Sequence, residues 1–290
     1  MKMKKILARM GLLGLFCLLL CGCGENKEGV IYTTVYPVDY LANYMYGDKA
    51  EVSSIYPDGT IVEDYNLVEK QIEEFSKGQV FIYNGTTKER QFAKDLVNKN
   101  KNMKVIDAAY GLKYIYGVEE LWLSPSNYLM LATNIKNSLE EQIGSKYTNE
   151  EITKKYDELK ERLSILDADL RSSAKKAKDK GKSTLVVSSN VFKFLENYGF
   201  QVISLEDYQL NSASLDTLKN QFKSGVYKYI LVENTEAVND IISEMIKDAQ
   251  AQTIVVNMMN TLTEENKRNN DTYFTIINEF INNIKNIINA

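Results

Sequence analysis

The sequence predicts an exported α/β protein of two lobes, each a mainly parallel sheet flanked by helices, joined by one long interlobe helix. Three observations predict it. Short β-branched and aromatic runs alternate with helical periods in both halves, one uninterrupted helical stripe separates the halves, and an apolar leader ending at a cysteine opens the chain. Strands separated by helices pair in parallel through right-handed crossovers, which puts ligands beyond the carboxyl ends of the strands.

The leader comes first. Lys2, Lys4, Lys5 and Arg9 precede an apolar run from Met10 to Leu20, too short for a membrane span of ~20 residues, and Leu20-Cys21-Gly22 leads into Cys23. This is a lipoprotein export pattern: processing leaves Cys23 as a lipidated N-terminus, and two acyl chains anchor stably where one does not. An ordinary signal peptide with incidental cysteines is the plainer alternative. The organisation that follows is a signal over 1–22, an N-terminal lobe over 23–144, a linking helix over 145–181 and a C-terminal lobe over 182–290. The mature protein is expected on the outer face of the cell membrane.

Val30 to Tyr36 reads as a strand ending at Pro37, and Val38 to Tyr46 carries Val38, Leu41 and Met45 at helical spacing before Gly47-Asp48. Strands at 51–56, 79–83 and 103–106 then alternate with helices at 62–76 and 88–98. In 145–181, Ile152, Tyr156, Leu159, Leu163, Leu166 and Leu170 recur at steps of four and three, with Ala174 and Ala177 continuing into a Lys-rich end. A heptad spacing also fits a coiled-coil dimer, but strand–helix alternation resumes at once, which favours an intramolecular helix and a monomer. Strands at 184–188, 201–205, 229–233 and 253–257 alternate with helices at 191–198, 215–224 and 237–249. An amphipathic helix over 273–288 closes the chain.

Composition narrows the function classes. The net charge is −4, and loss of residues 1–22 removes four positive charges and no negative one, leaving −8, which argues against a nucleic-acid partner. All three cysteines, Cys17, Cys21 and Cys23, lie in the leader region, so the exported body is held by its core rather than by disulfides. There is no histidine, no Gly-x-Ser-x-Gly and no phosphate loop; Glu63 and Glu120 are a nominal acid pair, but nothing else marks a glycosidase. The chain reads as a binding protein, not an enzyme.

Tyr36-Pro37, Gly47-Asp48, Pro57-Asp58-Gly59 with Asp64-Tyr65, Tyr83-Asn84-Gly85, Trp122-Leu123-Ser124-Pro125, Phe192-Lys193-Phe194 with Tyr198-Gly199, and Val232-Glu233 occur in that order. With the two-lobed frame, they resemble the metal-binding lipoproteins of ABC importers, the zinc and manganese solute-binding family. The resemblance implies capture of a divalent metal between lobes, a stiff interlobe connection, and delivery to an ABC permease driven by a cytoplasmic ATPase. It also implies a ligand set. Where relatives carry two histidines, a histidine or glutamate, and an aspartate, this chain has Glu63, Glu120, Ser189 (or Ser188 with a gap) and Asn257.

Such an all-oxygen set suits manganese, calcium or magnesium better than zinc, which favours thiolate and imidazole. Two carboxylates ~4 Å apart repel by about 4 kcal/mol at an effective dielectric near 20, so a cation, a shared proton or an inward lysine such as Lys193 is needed. Plainer readings stay open for each residue. Glu63 and Glu120 fit solvated loop carboxylates, and Ser189 and Asn257 fit caps of the segments after their strands. The alternative function is a surface lipoprotein of the same fold that no longer imports metal and binds a cationic organic solute or a protein.

Overall fold

The computed structural model describes residues 29–208, 212–234 and 240–290; Cys23 and the rest of the leader lie outside the described residues. The first lobe contains β1 (Val30–Thr33), α1 (Tyr36–Tyr46), β2 (Glu51–Ser54), α2 (Glu69–Phe75), β3 (Val80–Tyr83), α3 (Thr87–Lys99) and β4 (Lys104–Asp107). A short α4 (Glu120–Leu123) and α5 (Pro125–Gln142) lead into α6 (Lys146–Asp179). The second lobe contains β5 (Thr184–Val187), a 3-10 segment Asn190–Tyr198, β6 (Gln201–Ser204), α7 (Ser212–Lys223), β7 (Tyr229–Glu233), α8 (Asp240–Ala249) and β8 (Gln252–Val256). It is closed by α9 (Glu264–Arg268) and α10 (Tyr273–Asn289).

Both sheets are wholly parallel and share one topology, β2-β1-β3-β4 and β6-β5-β7-β8. In each, the chain reverses its direction of travel across the sheet beside the first strand, so a crevice opens at the carboxyl ends of β1 and β3, and again of β5 and β7. The fully buried Val80–Tyr83 run explains why β3 is central: a strand covered by helices on both faces reads as continuously apolar.

The linking helix forms over 34 residues, about 51 Å at 1.5 Å per residue. Ser145 caps its start by accepting from Thr148 N–H, and Lys176 and Lys178 complement the negative end of the helix. Ile152, Leu159, Leu163, Leu166, Leu170, Ala174 and Ala177 are buried, and the helix packs on α1, α5 and α10. The stripe is therefore covered within the chain. One apolar core runs from Ile31 and Phe81 through α6 to Val187, Leu231 and Phe280, so the lobes share a core; a smaller one under α7 and α8 holds Leu218, Ile230 and Met245.

Three departures from the sequence reading matter. The helix expected from Val62 begins only at Glu69, because residues 61–68 turn; Asn66 donates to the Asp64 carbonyl, and Val68 N–H donates to Gln71 Oε1 at 3.0 Å. The helix expected over 191–198 is of 3-10 type, ended by Gly199 at φ 105°. Helix α5, which the alternation did not reveal, starts at Pro125, a residue suited to a first turn.

Candidate functional site

The carboxyl ends of β1 and β3 lead into Val35 and Asn84, and both line a cavity of about 160 Å³ with Tyr56, Glu63, Lys88, Glu89, Glu119, Trp122 and Asn260. A second cavity of about 240 Å³, running along Gly59–Glu63, Thr261 and Thr263, shares Val62, Glu63 and Asn260 with the first. Both lie between the lobes. Trp122, fully buried, anchors the wall: its indole N–H donates to the Met258 carbonyl at 2.7 Å, and Tyr273 returns a 2.7 Å bond to the Trp122 carbonyl. Tyr36 N–H donates to the Asn260 carbonyl at 3.1 Å, so first-lobe and second-lobe loops are tied at the site itself.

Glu63 is exposed on the loop after Gly59 and lines both cavities. Glu120 does not join it. Its Oε1 accepts from the N–H groups of Ile115, Tyr116 and Gly117 at 3.2, 2.6 and 3.2 Å, closing the turn ahead of α4. Three convergent backbone donors satisfy a buried carboxylate more fully than an open cleft does. The preceding residue, Glu119, supplies the cleft carboxylate instead. Burial raises its pKa above the ordinary carboxylate range; the Asn260 amide opposes the rise, and the charges of Glu63 and Glu120 add to it.

The second-lobe residues read from sequence also stand apart from this cleft. Ser189 Oγ accepts from Val191 N–H at 3.2 Å as the cap of the 3-10 segment, and Ser188 is buried behind it. Asn257 Oδ1 accepts from Met259 N–H at 2.9 Å, and its amide donates to Asn266 at 3.3 Å. The chain then reverses through Met259, at φ 61°, and delivers Asn260 to the cleft. Asn260 donates to Glu119 Oε1 at 3.4 Å, while its own Oδ1 is buried without a hydrogen-bond partner. An unsatisfied buried carbonyl oxygen costs on the order of 1–3 kcal/mol unless something binds it.

Two further residues escaped the sequence reading. Lys88 donates to the backbone carbonyls of Glu63 and Val62 at 2.7 and 3.3 Å, whereas Lys193 is paired with Asp207 at 2.8 Å and lies over the Tyr116 ring. Glu89, fully buried, accepts from Asn84 N–H at 2.9 Å and from the Tyr56 hydroxyl at 3.1 Å. Burial pushes its pKa up from 4.5 to about 7 against both bonds, and the Tyr56 phenol is pushed up by burial and then by Glu89. Only the first-turn position of Glu89 after the Thr86 cap marks it in sequence.

Chemically, Glu63, Glu119 and Asn260 line one interlobe space, with the Asn260 Oδ1 closed off from solvent. Their ligating atoms are all oxygens. Among the described residues no three histidine, cysteine, aspartate or glutamate side chains are grouped to hold a metal, so these donors leave part of a cation's shell open. No described helix is long and apolar enough to cross a membrane.

A family described as ZnuA, zinc-uptake complex component A, periplasmic, matches residues 31–287. The zinc-binding lipoprotein AdcA of Streptococcus pneumoniae is 26% identical over 98% of this chain and 61% of its own length. The chain thus spans about three fifths of that relative. The metal ABC transporter substrate-binding lipoprotein SsaB of Streptococcus sanguinis is 25% identical over 85% of each chain. The Zn(II)-bound ZnuA-like domain of Streptococcus pneumoniae AdcA aligns with a TM-score of 0.72 and 25% identity, over 90% of this chain and 99% of that domain.

Proposed function

The chain belongs to the zinc-uptake component A family, and from that premise we propose that it captures a divalent metal ion for an ABC importer with Glu63, Glu119 and Asn260. Members of this family are substrate-binding transport components, not enzymes. The protein sits on the outer face of the membrane, tethered through Cys23, and hands its cargo to a permease with a cytoplasmic ATPase. The Glu63 and Glu119 carboxylates lining one interlobe cavity carry the reading, because the Glu63 charge acts on Glu119 and a cation relieves both at once.

AdcA is a zinc-binding lipoprotein and its ZnuA-like domain is Zn(II)-bound, yet this chain has no histidine and its described residues contain no cysteine. Oxygen donors favour manganese, then calcium or magnesium, and give zinc no strong preference. Calorimetry on metal-stripped mature protein tests this. Manganese is expected to bind at one site, with heat lost in Glu63→Gln and Glu119→Gln and kept in Ser189→Ala and Asn257→Ala. Silence for manganese, zinc, calcium and magnesium alike overturns the metal reading and favours the surface lipoprotein without metal import.

A further inference from the structure

A third cavity, of about 360 Å³, opens beyond the carboxyl end of β2 and takes no part in the metal reading. Tyr36, Asp39, Ser53 and Tyr56 line it from the first lobe, and Leu262 and Lys267 from the second. At ~30 Å³ per water its space equals about twelve waters, which is room for a small organic molecule rather than for a bare ion.

Asp39 stands in this cavity without a cation. Its Oδ1 accepts from the Thr33 hydroxyl at 2.7 Å, and no lysine or arginine pairs with it among the described residues. Lys267 does not fill that role, because it is paired with Asp58, the other carboxylate of the lining. Burial raises the Asp39 pKa; the Thr33 bond opposes the rise, and the Asp58 charge adds to it. A positive group beside Asp39 would relieve both the burial and the repulsion.

The neighbouring polar groups are already committed. Ser54 Oγ donates to the Thr34 carbonyl at 2.6 Å and accepts from Tyr56 N–H at 3.0 Å, while the Tyr56 hydroxyl donates to Glu89. Beside Asp39 the cavity thus offers the tyrosine rings and the apolar surfaces of Val52, Pro57 and Leu262. One unpaired carboxylate falls far short of the six or more oxygens that a hard divalent cation takes. An alkylammonium suits the lining better. Its N–H groups donate to the carboxylate, its charge is attracted to aromatic faces, and its hydrocarbon part covers apolar surface.

We propose that this cavity binds a small primary alkylamine in its ammonium form, held by Asp39 and packed against Tyr36 and Tyr56. The site is separate from the metal cleft and does not depend on it, although Tyr56 lines both cavities.

The test is a calorimetric titration of mature protein, without added metal, with butylamine near pH 7, where the amine is charged. Saturable binding at one site is expected, with a dissociation constant of about 1 mM, the range open to so few atoms. 1-Butanol, of the same shape without the charge, should bind about tenfold more weakly or not at all. Asp39→Asn, which can keep the Thr33 hydrogen bond, should lose about tenfold in butylamine affinity, with a melting curve to establish that it is folded. The butanol comparison is made on the parent protein, so it decides the need for charge even if the variant does not fold. No saturable heat with butylamine, equal binding of butanol, or parent-like affinity in folded Asp39→Asn overturns the proposal. Affinity lost in Glu63→Gln but kept in Asp39→Asn would put the amine in the metal cleft, and overturns it as well.

Discussion

Replacing Glu89 by glutamine should leave stability close to the parent's near pH 5 and raise it well above the parent's by pH 8. In the folded protein the carboxyl titrates at about 7 rather than 4.5, so folding favours its neutral form. Below pH 4.5 both states are protonated and the contribution is fully present; between 4.5 and 7 the unfolded chain loses its proton first, and stability falls as pH rises. The gap amounts to about 3 kcal/mol by pH 8. Glutamine does not titrate. Its oxygen can accept from Asn84 N–H while its amide donates to the rotatable Tyr56 hydroxyl, so both contacts survive at all pH values. The variant should therefore lie within about 1 kcal/mol of the parent near pH 5 and be more stable by about 3 kcal/mol near pH 8. Urea unfolding of both proteins across that range, taken as a difference, cancels the other titrating groups, including Asp107, whose charge also raises the Glu89 pKa. A difference that stays constant with pH would refute the reasoning.

Other outcomes follow from the same geometry. Leu163→Ala, in the buried stripe of α6, should cost ~2–5 kcal/mol in denaturant melts; parent-like stability would put that stripe outside the core. Glu120→Gln should destabilise the fold by roughly 1–3 kcal/mol, through its three backbone donors, while leaving metal uptake intact; loss of metal with unchanged stability would return Glu120 to the cleft. Cys23→Ala should abolish lipid labelling, and label retained through Cys21 would defeat the assignment.

The frame was legible because it rests on periodicity. The alternation of Val30–Tyr36 with Val38–Tyr46, and the Ile152–Leu170 stripe, each commit many residues to one pattern, and such patterns survive into the fold. The residues lining the cleft were less legible. Glu63 stands in the cleft, but Glu119 rather than Glu120 reaches it, because the turn at Ile115–Gly117 claims Glu120. Asn260 rather than Asn257 reaches it, because Met259 turns the chain through a positive φ. Lys88 and Glu89 are local features of a helix start, and only the meeting of β3 with the 57–63 loop gives them a role. Which side chain a loop presents depends on which one the turn's backbone donors claim, and hydrophobic periodicity does not encode that.

The central claim is that a cation binds between the lobes on Glu63, Glu119 and Asn260. Anomalous diffraction at the manganese edge, from crystals of mature protein grown with manganese, tests it most directly. The account predicts one strong peak within ligating distance of those three residues, and its loss in Glu119→Gln. A peak on Glu120, Ser189 or Asn257, or no peak in the cleft under conditions that saturate manganese binding in solution, would contradict it.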